Sequence, residues 1–330
     1  MTSSGQEPDF IVIVIVIVIV IVAAKAGTTS LAEYFSALPS VFMSTPKEIE
    51  FFARDDHYAK GIDWYRSFFA AAEEGQLKAE ASTIYSLSPL FPHTAERVAA
   101  HLPDVKLIYI LREPVSRAYS YYAQLQKNYR RWSRDPAIHR SFEDFIHAPA
   151  DRAPRDRALA AFDAHLPDEP GLILDGSDYP SQIEAWLRHF PKDQILFLFF
   201  EELHSDQQAV LARIHAFLGL PEPAPDASLP HVNESRGDFA RLKQDRMAKE
   251  MAETMPVLRR LSRLLPEGFR RSLRGLLLRG LFSREAEDPG KPRPMQPETR
   301  ARLNERFLKD RPRIRNLTGL DPDAWWDRPA

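Results

Sequence analysis

Residues 11–31 read IVIVIVIVIVIVAAKAGTTSL: a β-branched run, a short polar segment and the first residue of a helical pattern. Ile and Val alternate without a break through the 12 residues 11–22. Side chains branched at Cβ are stiff at χ1 and pack well on a pleated surface, so the run predicts a strand rather than a helix. As a helix it would span only about 18 Å, short of the roughly 30 Å hydrocarbon core of a bilayer. Apolar residues on both faces suit a central strand covered by helices on each side. A typical strand has about 5–6 residues, so the run reads as a core strand lengthened by a low-complexity repeat. Being uncharged and free of Pro, it is also an aggregation hazard.

Outward from that strand the chain alternates between strand and helix patterns. Residues 25–30 predict a polar turn and 31–38 a helix. Residues 77–81 predict a short strand, 89–102 a helix, and 105–111 (VKLIYIL) a buried strand followed by a helix to about residue 130. A helix over 180–190, a strand over 194–200 (QILFLFF) and a helix over 205–218 complete the pattern. Such alternation predicts an α/β fold, a mainly parallel sheet flanked by helices. From residue 237 to 330 the chain reads as a helical C-terminal part. The Pro-rich stretch 221–230 marks the border between the two, yet the whole chain, 1–330, is read as one domain. Residues 1–9 read as a flexible N-terminus that lacks a basic leader region, from which a cytoplasmic location is expected.

Composition narrows the function classes. The 330 residues carry 44 Lys+Arg against 46 Asp+Glu, a formal charge of −2, which argues against a dedicated nucleic-acid binder. The absence of Cys excludes a disulfide scaffold, a thiolate metal site and a cysteine nucleophile. The ten His show no H-E-x-x-H spacing, so no metal is expected, and the lack of G-x-S-x-G leaves serine-hydrolase chemistry without support.

Two segments carry candidate chemistry. In the first, Lys25, Ala26, Gly27, Thr28, Thr29 and Ser30 lie between strand and helix. The unpaired N–H groups and positive dipole end of a helix start make a ready anion site there. The order is not that of a Walker A loop, whose Lys follows the second Gly; here Lys25 precedes Gly27. In the second, Leu111-Arg112-Glu113-Pro114-Val115-Ser116-Arg117-Ala118-Tyr119-Ser120 follows a buried strand at its carboxyl end, where open α/β sheets bind ligands. Arg112 offers a forked donor for a phosphate, and Ser120 lies two helical turns onward with a hydroxyl.

Together these segments resemble the sulfotransferase superfamily that uses 3′-phosphoadenosine 5′-phosphosulfate (PAPS), above all bacterial and heparan-sulfate or other carbohydrate-type members. Its pattern of strand–KxGTTSL–helix is filled by Lys25, Gly27, Thr28, Thr29 and Ser30, and its LR[DE]PxxRxxS by Arg112 and Ser120. Pro46-Lys47-Glu48-Ile49-Glu50-Phe51-Phe52 resembles the PKE segment of the family, and residues 179–203 and 297–325 resemble its later helix–strand unit and a common bacterial ending. One departure stands out: Val22 occupies the position, three residues before the loop Lys, where the family usually carries Gly.

The resemblance implies a P-loop-like fold and sulfonyl transfer from PAPS to a hydroxyl or amine of a carbohydrate or small-molecule acceptor, without metal. It implies Lys25 as the cation that stabilises the departing phosphate oxygen, and Glu48 as the general base. Glu50 or His57 could take that second role, and Lys47 could neutralise the sulfonate. Arg236 and Gly237 fall where the family places a late cofactor-contacting loop, or they belong to an ordinary polar loop. Two other readings stay open: a phosphotransferase on a similar fold, and a non-catalytic scaffold that binds nucleotide, membrane or partner. Residues 257–284 hold eight Arg against the single acid Glu267, with Leu and Phe at helical spacing. They read either as a covering helical layer with a wet Arg face, or as an electrostatic funnel or membrane-surface helix.

Overall fold

The computed structural model describes residues 10–14, 27–46, 48–88, 90–132, 141–146, 170–230 and 294–327. Five strands, β1 (Phe10–Val14), β2 (Val41–Met43), β3 (Leu77–Ser82), β4 (Lys106–Leu111) and β5 (Ile195–Phe199), form one sheet in the order β2-β3-β1-β4-β5. Every pairing is parallel, and β1 lies in the middle with Ile13 opposite both Ser82 and Tyr109. From β1 the chain goes first to the edge strand β2, returns to β3 beside β1, then crosses to the other side for β4 and β5. That reversal opens a crevice at the carboxyl ends of β1, β3 and β4, the place where open parallel sheets receive ligands.

The strand side chains alternate between two apolar layers, as the pleat requires. Ile108 and Ile110 of β4 point into a layer with helix α1 (Gly27–Ala37), whose Leu31 and Phe35 are fully buried. Leu107, Tyr109 and Leu111 point into the other, larger layer. Against that layer pack α2 (Ile62–Ser67), α3 (Thr94–His101), α4 (Pro114–Trp132) and α5 (Tyr179–Leu187). Helix α6 (Gln207–Leu218) completes the first layer, and the tail helices α7 (Pro297–Leu308), α8 (Arg311–Thr318) and α9 (Asp323–Trp326) add Leu303, Phe307, Ile314 and Trp326 to the second. No helix among the described residues is long and apolar enough to cross a membrane.

Several boundaries differ from the sequence expectation, each for a physical reason. Helix α1 begins at Gly27, so residues 27–30 form its first turn rather than a separate polar turn. The helix expected from residue 89 starts at Thr94, behind a 3₁₀ turn at Ile84–Ser86. Pro92 cannot donate to a helical ladder and disfavours helical geometry in the residue before it. The helix expected over 205–218 is interrupted at Asp206, whose carboxylate leaves helical geometry to accept the Ala209 N–H at 3.2 Å and cap α6. The stretch 221–230 is packed onto the sheet rather than set apart from it: Leu229 is buried with the α1–α6 layer, and its N–H donates to Gln207 Oε1 at 3.0 Å. Of the expected 11–22 strand, residues 15–22 lie outside the described residues, as do 231–293 of the expected helical tail.

Candidate active site

Helix α1 passes by the turn 38–40 into the start of β2, so its first turn, with its unpaired N–H groups, lies toward the opposite, crevice end of the sheet. Ser30 in that turn is 3% exposed, and its Oγ has no hydrogen-bond partner. Lys25 and Ala26 lie outside the described residues, and of Gly27, Thr28 and Thr29 the helical backbone alone is described.

On the neighbouring strand, Arg112 leaves the end of β4. Its guanidinium rests 4.7 Å from the Phe200 ring centroid, and its Nη1 is shut off from solvent with no hydrogen-bond partner. Burial holds this guanidinium below its usual range, while Glu201 and Tyr179 act in the opposite sense. The backbone of Arg112 is fixed at both groups by one side chain: Tyr179 donates its hydroxyl to the Arg112 carbonyl at 2.7 Å and accepts the Arg112 N–H at 3.3 Å. Glu113 then caps α4, accepting the N–H groups of Val115 at 2.9 Å and Ser116 at 2.8 Å. Its own N–H donates to Glu201 Oε1 at 3.0 Å. Ser120, further along α4, is 4% exposed with an unpartnered Oγ.

Between these two motif residues, Arg117 turns inward. It is buried, donates from Nε to Ser177 Oγ at 2.6 Å, and reaches the Ile173 carbonyl from Nη2. A Cβ at Gly176 would overlap the Arg117 guanidinium and push it from this position. Arg117 therefore anchors α4 to the 173–177 turn, a role that its motif position did not announce.

The third element of the site follows β2. Glu48 is half-buried on a loop between the cis Thr45–Pro46 peptide and Glu50, whose φ is +58°. Lys47 lies outside the described residues. Ile49, Phe51 and Phe52 are buried and fasten this loop to the larger layer. His57 donates from Nδ1 to the Ile49 carbonyl at 2.9 Å, so that nitrogen is occupied by the loop. Beside this loop Tyr65 and Phe69 are core, while Trp64 and Phe68 are partly buried against it.

Two polar residues of β3 escaped sequence reasoning. Glu80 is fully buried and takes the hydroxyls of Tyr65 at 2.9 Å and Tyr85 at 2.8 Å, together with the N–H groups of Ile49 and Glu50. Ser82, at the crevice end of the same strand, has a buried Oγ without a partner. The signal was present in Lys78-Ala79-Glu80-Ala81-Ser82, where polar residues alternate with Ala and so share one face.

Neighbouring strands stand about 4.8 Å apart, so the sheet order sets the candidates side by side along one edge: Glu48 after β2, Ser82 on β3, Ser30 beyond β1, Arg112 after β4. The structure does not bring Arg236 and Gly237 or residues 257–284 into this picture, because they lie outside the described residues. Among the described residues no cluster of His, Asp or Glu could hold a metal ion.

A parallel sheet with anion-receiving groups at its switch point is matched by a known family: the sulfotransferase-domain model covers residues 17–263. The chain belongs to that family. It is similar to heparan sulfate glucosamine 3-O-sulfotransferase 3A1 of Mus musculus, 34% identical over 213 residues, 64% of this chain and 48% of that protein. It is also similar to the human bifunctional heparan sulfate N-deacetylase/N-sulfotransferase 3, 33% identical over 221 residues, 64% of this chain and 22% of that protein. The chain thus spans about half, or less, of the curated relatives it matches. Among solved structures, a sulfotransferase from Alicyclobacillus acidocaldarius superposes with a TM-score of 0.61 at 22% identity, over 98% of this chain and 100% of that one, a likeness of fold.

Proposed function

We propose that this chain transfers a sulfonyl group from PAPS to a hydroxyl or amine of a carbohydrate or small-molecule acceptor. One observation carries the reading. Ser30 Oγ, Arg112 Nη1 and Ser120 Oγ are buried polar groups without partners, set on the two elements that flank the switch point. Native folds leave few such groups, since each costs about 1–3 kcal/mol. All three suit phosphate oxygens, and a guanidinium is the side chain fitted to grip one with two parallel donors. A nucleotide with one phosphate at the β4–α4 turn and another at the α1 N-terminus would satisfy them together.

PAPS supplies the activated sulfonyl group. Glu48 takes the proton of the acceptor O–H or N–H as the new bond to sulfur forms and the bond from sulfur to the phosphate oxygen breaks. Lys25, from its place in the motif, stabilises the charge left on that oxygen. The names of the relatives favour an aminosugar-containing polysaccharide as acceptor.

Thermal stabilisation by 3′-phosphoadenosine 5′-phosphate (PAP), compared with 5′-AMP and ADP, tests the reading. A ligand at 100 times its dissociation constant adds about 2.7 kcal/mol, an easily measured shift. The expected result is stabilisation that requires the 3′-phosphate. Equal shifts from all three nucleotides would point to a phosphotransferase, and no shift from any of them would point to a scaffold.

A further inference from the structure

The loop that carries Glu48 is held from two sides by side chains that no motif assigns. The N–H of Ile49, the residue after Glu48, goes to the Glu80 carboxylate, and its carbonyl accepts from His57 Nδ1 at 2.9 Å. Glu80 also accepts the N–H of Glu50, the one described non-glycine residue with a positive φ, 58°. A residue with a Cβ avoids that region unless its surroundings fix it there. The carboxylate is itself held in place: Tyr65 donates to Oε2 at 2.9 Å and Tyr85 to Oε1 at 2.8 Å, and the Tyr85 hydroxyl in turn accepts the Phe52 N–H at 3.5 Å.

We propose that Glu80 is a positioning residue for the acceptor-activating carboxylate, its side chain fixing the 48–50 backbone so that Glu48 is presented at the crevice edge. This deepens the proposed function and rests on the reading of Glu48 as base. Strand alternation supplies the placement. Ala79 and Ala81 face the α1 layer, so Glu80 faces the layer that contains Ile49, Phe51, Phe52, Tyr65 and Tyr85. A buried carboxylate is a poor choice for packing alone, because an apolar residue of similar volume fills such a site without the desolvation penalty. Its use is explained by what it accepts: two tyrosine hydroxyls on one side and two loop amides on the other.

The test is a comparison of the full chain with its Glu80→Gln variant, which keeps size but brings an NH₂ to face donors. Amide hydrogen exchange over residues 45–53 is expected to quicken roughly tenfold in the variant, with exchange in α1 and α4 unchanged. With PAPS as donor and a glucosamine-containing oligosaccharide as acceptor, kcat is expected to fall roughly tenfold or more while the KM for PAPS stays within about twofold, because donor contacts are untouched. Glu80→Asp keeps the charge but withdraws it by one methylene, and should loosen the same segment if Glu80→Gln does not fold.

Unchanged exchange over 45–53 in a folded variant overturns the proposal, as does equal loss of PAP binding and turnover. Failure of both variants to fold overturns it too, assigning Glu80 to folding instead. Absence of transfer by the unaltered chain would count against the proposed function, and the exchange comparison would still decide the role of Glu80.

Discussion

At the scale of single residues, the candidate site is a set of buried polar atoms that find no hydrogen-bond partner within the protein. Arg112 shows this most sharply. Its guanidinium is pushed down from its usual range by burial, yet Nη1 makes no hydrogen bond. A bound phosphate would supply both the charge and the acceptor. Charged hydrogen bonds contribute about 1.5–3 kcal/mol, so Arg112→Ala should weaken PAP roughly 10–100-fold while 5′-AMP binding changes by about twofold or less. Isothermal titration with the two nucleotides checks this, and an equal loss for both would remove Arg112 from the 3′-phosphate. Arg112 and Ser120 were legible in the sequence because a fixed spacing after an apolar strand implies a geometry. Glu80 was not, because its meaning depends on Tyr65, Tyr85 and the 49–50 amides, which only the fold brings together.

Among elements, the turn between β4 and α4 depends on the start of α5. Asp178 caps that helix by accepting the Ser181 N–H at 3.4 Å, which fixes the next residue, Tyr179, with its hydroxyl between both backbone groups of Arg112. Tyr179→Phe leaves an N–H and a carbonyl without their partner in a part-buried turn. It should lower the unfolding free energy by about 1–3 kcal/mol and weaken PAP about 3–10-fold, the second effect marking the turn as part of the nucleotide site. Denaturant titration and calorimetry on the same variant separate the two, and unaltered PAP affinity would confine Tyr179 to packing. The strands β4 and β5 were legible from their continuous apolar runs, whereas β2, with three residues, is too short to carry a period. Where β1 sits within the Ile-Val run was not legible for a different reason. Sliding a two-residue repeat by two residues presents identical faces, so side chains alone cannot select Phe10–Val14.

For the whole molecule, the packing that builds the site also sets how stability follows pH. The large layer surrounds Glu80 with rings and shuts it off from the surface, and burial raises its carboxyl from 4.5 to about 7 even though Tyr65, Tyr85 and the Ile49 and Glu50 amides pull the other way. The side chains hydrogen-bonded to it are Tyr65 and Tyr85, the Tyr85 phenol itself pushed well up by burial and by the charges of Glu80 and Glu50. Because the folded value lies above the unfolded one, the native state binds more protons between pH 4.5 and 7. Stability linked to Glu80 is therefore fully present below about pH 4.5 and is lost as pH rises through 7. At 1.36 kcal/mol per unit the loss amounts to about 3 kcal/mol. The ionised form, the better acceptor for the loop amides, is thus also the less stable one, and placement of Glu48 is set against stability near neutral pH. Glu201 and Asp310, also raised by burial, act in the same direction, so the slope of the unaltered chain alone does not isolate Glu80. The difference between the unaltered chain and Glu80→Gln does. Unfolding free energies from urea titration at pH 5 and pH 8 should diverge, the unaltered chain losing about 3 kcal/mol more than the variant across that interval. Parallel losses in the two proteins would mean that Glu80 is already ionised at pH 5 and that its four donors outweigh its burial.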